Sequence, residues 1–198
     1  PWVIKEPRLS LLLPILRPTL EVPVLVHVTR EPLEIAESLA ARNGFPIPVG
    51  LALWESYTRN ACAASDADPR VHVSYGDLMA DPIAATAKLV EQLTDLGVQG
   101  LRLPTDREIT AFITPSLHRQ RQNAKDRTGY LNAPQAALAT DLDAGRLPEA
   151  DTVEPISTGA IATLRAFEEH QALEATLDTA RLDGEAERAR AQTERALV

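Results

Sequence analysis

Apolar and polar positions alternate along this chain in two different periods, and the switches between them mark the elements. Trp2 to Ile4 is a short apolar run that reads as a strand, and Leu9 to Leu20 reads as a helix interrupted at Pro14. Val22 to Val28 is rich in β-branched residues, as expected of a parallel strand buried on both faces. It ends at Thr29-Arg30, and the spacing then predicts a helix from about Pro32 to Ala41, with proline in the first turn. Asn43-Gly44 stops that helix. A longer helix is predicted over Pro48 to Ala64, a strand over Arg70 to Ser74, and a helix from Asp81-Pro82 to about Leu96 with the aspartate as N-cap. Strand followed by helix, three times over, implies right-handed crossovers. The fold class expected is therefore α/β, a mostly parallel sheet flanked by helices.

Three segments follow from the pattern: 1–127 as the layered domain, 128–158 as an Ala/Pro-rich linker or irregular helical region, and 159–198 as a charged amphipathic helical tail. That tail can pair with another helix, so self-association through it is expected. Composition narrows the partners. A net charge of −8 argues against general nucleic-acid binding, although a few converging arginines still make a local anion site. The single cysteine, Cys62, allows no internal disulfide, which suits a reducing, cytoplasmic setting. The longest apolar run, Leu11 to Leu16, is too short to span a bilayer and is broken by Pro14, so no membrane partner is expected. The four histidines are scattered and give no metal-ligand spacing; His27 and His72 fall inside strand patterns, as core residues do.

Candidate chemistry sits at strand ends, where open parallel sheets bind ligands. Arg30 ends the central strand, and Ser38 lies two turns into the helix after it. The guanidinium offers a planar fork for a phosphate, and the hydroxyl is a second donor. Lys5-Glu6-Pro7-Arg8 is either a cation and base beside a transferred group or a charged turn held by its own ion pairs. Further on, Leu117-His118-Arg119-Gln120-Arg121 is either a basic loop over an anion or a solvated helix end.

Taken in order, these pieces resemble the sulfotransferases that use 3′-phosphoadenosine 5′-phosphosulfate (PAPS), most closely their bacterial branch. The resemblance rests on Ile4-Lys5-Glu6-Pro7-Arg8-Leu9, on Arg30-Glu31-Pro32 with Ser38 eight residues after the arginine, on Leu53-Trp54-Glu55-Ser56-Tyr57, and on Val73-Ser74-Tyr75-Gly76-Asp77-Leu78-Met79-Ala80-Asp81-Pro82. In the last segment Gly76 replaces the family's usual glutamate. The likeness covers residues 1 to about 97 and thins out by about 125.

The resemblance implies a P-loop-NTPase-like sulfotransferase fold, N-terminally incomplete. It implies Arg30 and Ser38 on the 3′-phosphate, Tyr75 near the adenine, Lys5 beside the transferred sulfonate, and Arg119 or Arg121 closing the phosphate site. Many cytosolic relatives carry a histidine after the matching lysine; here Glu6 follows, and it is the candidate base by analogy with other branches. The acceptor would be a hydroxyl or amine on a small molecule or glycan, with no metal required. No glycine-rich phosphate loop occurs in this sequence, so the 5′-phosphosulfate anchor is expected upstream of Pro1 and turnover by this chain alone is not expected. Two other readings stay open: a sulfotransferase-like module that binds protein through its tail without catalysis, and a P-loop-type nucleotide or small-molecule kinase.

Overall fold

The computed structural model describes residues 2–113, 129–149 and 151–196, and it is mixed α/β and mostly helical, around a two-stranded parallel sheet. In chain order the elements are α1 (Leu9–Leu16), a 3-10 turn (Arg17–Thr19), β1 (Leu25–Thr29), α2 (Pro32–Asn43), α3 (Ile47–Ala64) and β2 (Arg70–Ser74). There follow α4 (Tyr75–Ala80), α5 (Pro82–Asp95), α6 (Asp106–Phe112), α7 (Ala133–Asp143) and α8 (Thr158–Ala196). The strands pair in parallel from Leu25 opposite Arg70 to Thr29 opposite Ser74.

Local chemistry explains most boundaries. Pro32 and Pro82 each open a helix where a missing N–H costs nothing, and the N-caps Glu31 and Asp81 accept from the amides of Glu34 and Ala84. Gly44 takes a left-handed φ of 71° and closes α2, a conformation open to glycine at little steric cost. Pro14 lies inside α1, which yields to a 3-10 turn after Leu16. That exit is pinned by Arg17, whose Nε donates to both carboxylate oxygens of Asp68 at 2.8 Å.

The core is aliphatic with one large aromatic. Trp54 of α3 is buried against Leu138, Ala139 and Leu142 of α7, with Ile35, Leu131 and Leu147 packed around them. The stretch 128–158, expected as a linker or irregular helical region, contributes α7 and, with it, part of the core. α2 and α3 approach closely at Gly50, where an added Cβ would stand 2.7 Å from Ala36 Cα. Any larger residue there must push the helices apart.

Three expectations about strands are corrected. Trp2 to Ile4 forms no strand: Trp2 and Val3 are 72% and 90% exposed, and no neighbouring segment completes a ladder with them. β1 is not buried on both faces. Val26 and Val28 are exposed, whereas their register partners Val71 and Val73 are buried. α4 and α5 pack against β2, and no described helix packs against β1 to the same extent. A three-strand repeat is likewise reduced to two strands among the described residues.

Candidate functional site

β1 and β2 run in parallel, so Arg30 and Ser74 leave the sheet side by side at its carboxyl end. A cleft of about 240 Å³ lies there, lined by Thr29, Arg30, Glu31 and Pro32 from β1 and α2, and by Ser74, Gly76 and Asp77 from β2 and α4. Its floor is Trp54, and Ala139, Leu142 and Asp143 of α7 close it. Ser74 caps α4 by accepting from the Asp77 amide at 3.2 Å, which starts the helix at Tyr75. That turn sets the Tyr75 ring beneath Arg30, whose guanidinium carbon stands 4.9 Å from the ring centroid. Stacking of this kind fixes the plane of the fork.

Arg30 is engaged on one edge: its Nε donates to Glu34 Oε2 at 2.9 Å, one helical turn on. A guanidinium has five N–H donors, so one ion pair leaves it able to bind more. Arg30, Glu34 and Ser38 follow one another at four-residue intervals along one face, and an anion spanning Arg30 and Ser38 meets Glu34 between them. Ser38 is half-buried and is not among the residues lining the cleft. The amide end of α2 is already partly answered, since the Glu31 carboxylate accepts from the Glu34 amide at 2.6 Å. With Asp77 and Asp143 also on its walls, the described residues lining the cleft combine one arginine with several carboxylates.

Lys5 and Glu6 lie in the turn before α1 and do not line this cleft. Lys5 is exposed. Glu6 Oε1 accepts from Arg8 Nε at 2.9 Å and from the Arg8 amide at 3.1 Å. These bonds from Arg8 hold its carboxyl down at about 2. So low a value keeps Glu6 ionised but makes it a weak proton acceptor. Of the two readings of this turn, the ion-paired one describes the arrangement seen. Arg119 and Arg121 lie outside the described residues.

His27 and His72 stand opposite each other in the sheet. His27 Nε2 lies 2.9 Å from Ser65 Oγ, which itself donates to the Cys62 carbonyl at 3.2 Å. The network therefore assigns the Nε2 proton to His27 as the donor to Ser65. Burial, reinforced by Arg70 and then His72, lowers the His27 pKa to about 4. His72 Nε2 lies 2.6 Å from Thr29 Oγ1, and burial lowers its pKa as well. Both rings are engaged with neighbouring hydroxyls. Burial also raises the Cys62 thiol, which favours the protonated, unreactive form.

One polar group was given no role in the sequence: Glu55, fully buried in α3. Its Oε1 accepts from Arg59 Nε at 3.0 Å and from the Ser157 amide at 2.8 Å, and Oε2 accepts from Ser157 Oγ at 2.9 Å. Arg59 in turn donates to the carbonyls of Glu154 and Pro134. The signal available was a Glu–Arg pair at i and i+4 on an otherwise uncharged helix. Compared with known proteins, the chain finds no matching family model, no matching curated protein and no matching solved structure.

Proposed function

We propose that the strand-end cleft binds the 3′-phosphate and adenine side of PAPS, and that the chain is the corresponding part of a sulfotransferase that transfers a sulfonate to a hydroxyl or amine acceptor. The observation that supports this reading is the stack of Arg30 on Tyr75, at the mouth formed by two parallel strand ends. The two residues come from the two separate segments that resemble the family, one expected on the phosphate and the other on the adenine. An oriented guanidinium beside an aromatic face is what an adenosine 3′-phosphate requires.

In the proposed reaction the acceptor oxygen or nitrogen attacks sulfur, the bond from sulfur to the bridging phosphate oxygen breaks, and adenosine 3′,5′-bisphosphate leaves. The acceptor gives up one proton. Arg30 holds the 3′-phosphate, which distinguishes this donor from ordinary adenine nucleotides. Ser38 and Lys5, outside the cleft lining, reach the 3′-phosphate and the sulfonate only on rearrangement around the bound donor. Glu6 serves as base only when Arg8 is drawn away from it. That ion pair supports a second reading, a module that binds the nucleotide without turning it over; addition of PAPS and a range of acceptors separates the two by whether bisphosphate is released.

Titration calorimetry with adenosine 3′,5′-bisphosphate tests the binding itself. Arg30→Ala is expected to weaken binding by about 2 kcal/mol, as loss of a charge-assisted contact does. Equal affinity in variant and parent contradicts the assignment.

A further inference from the structure

We propose that α8 joins two copies of this chain as an antiparallel helix pair, with Leu173 of each copy seated on Gly184 of the other and Leu177 seated on Ala180. The helix is 39 residues long, and only its beginning belongs to the body of the protein. Ala160 is buried, and Phe167 meets Phe45 edge to face at 5.2 Å between centroids. Beyond Phe167 the described side chains face water, among them Leu173 at 57% and Leu177 at 60% exposure.

Two observations select the occupant and its direction. The first is Gly184. Glycine inside a helix costs roughly 1 kcal/mol relative to alanine, and here its own chain gives no reason for it, because an added Cβ would meet nothing within 4 Å. Leu173, Leu177, Ala180 and Gly184 follow one another at spacings of four, three and four, so they form one seam. In an antiparallel pair of such seams each large residue faces a small one, and the open space above Gly184 receives the partner's leucine.

The second observation is charge. The antiparallel register that aligns Leu177 with Ala180 also brings Glu174 of one copy opposite Arg181 of the other, twice by symmetry. A parallel pairing of the same seam would set Glu169 opposite Glu174, also twice, which is repulsive. In the single chain Glu174 and Arg181 have only exposed partners on their own helix, His170 and Glu185. Leu182 lies off the seam and takes no part in this pairing.

Sedimentation equilibrium on the 198-residue chain at low ionic strength tests the proposal, with circular dichroism confirming that each variant keeps its helix. The parent is expected to be dimeric and Leu173→Glu/Leu177→Glu monomeric. Gly184→Met raises helix propensity yet is expected to weaken the dimer at least about tenfold by overfilling the seam. Glu174→Arg is expected to weaken it about tenfold, and Glu174→Arg/Arg181→Glu to restore it. A parent that stays monomeric overturns the proposal, as does a dimer indifferent to the leucine variants. A dimer tightened by Glu174→Arg would show a parallel pair and overturn the register.

Discussion

Two Glu–Arg pairs at four-residue spacing stand in settings that give them opposite meanings. Glu55 and Arg59 sit four residues apart on α3, with side chains 0% and 6% exposed, and they also bond to residues 134, 154 and 157. Arg30 and Glu34 sit four apart across the start of α2 at almost the same distance, with side chains 23% and 11% exposed. The first pair is enclosed and bonded to three residues elsewhere in the chain, so its role is to fasten α3 to the segments around α7 and the start of α8. The second borders a cleft, and its arginine stands over an aromatic ring. An enclosed ion pair tied to several segments holds a fold together; one that opens onto a strand-end crevice can exchange partners with a ligand.

The largest effect expected from breaking this contrast is at the enclosed pair. Glu55→Ala leaves the Arg59 charge buried and unpaired, and is expected to lower unfolding free energy in urea by about 3–5 kcal/mol. Arg30→Ala, at the open pair, is expected to change stability by less than about 1 kcal/mol, the scale of partly exposed pairs. A similar loss in both variants would erase the distinction.

Acid attacks the enclosed side of the sheet next. His27 titrates near 4 in the folded chain and near 6.5 unfolded, so the unfolded state takes up its proton first as pH falls. The stability it contributes is complete above about pH 6.5 and is lost between there and pH 4, amounting to at most about 3 kcal/mol. Urea midpoints measured across that window should fall, and His27→Gln should flatten the fall. A smaller effect is expected at the open side. Asp143→Asn removes a negative charge from the cleft wall and should tighten bisphosphate binding by about 0.5 kcal/mol, a gain that added salt should reduce. No change on titration would mean that Asp143 does not sense the ligand.

What was legible in the sequence was whatever is decided locally. Pro32, Gly44, Ser74 and the Asp81-Pro82 step mark boundaries through backbone chemistry within a few residues, and β2 falls where its alternation puts it. What escaped depends on distant partners. A strand exists only when another segment completes its ladder, so Trp2 to Ile4 has the composition of a strand without the structure. Val26 and Val28 have the pattern of buried residues, but no described helix covers β1 as α4 and α5 cover β2. The bond from Glu55 to Ser157 crosses 102 positions, and no local spacing announces it. Of the site, Arg30 could be placed from its position at a strand end. The stack on Tyr75 and the carboxylates of the cleft wall became visible only once two strand ends were brought together.

The central claim is that Arg30 on Tyr75 receives a 3′-phosphate, and it is tested most directly by titrating the chain with adenosine 3′,5′-bisphosphate and with adenosine 5′-diphosphate in parallel. Tighter binding of the 3′,5′-bisphosphate is expected, with the preference lost in Arg30→Ala. Equal binding of both nucleotides, or a preference that survives the loss of Arg30, would contradict it.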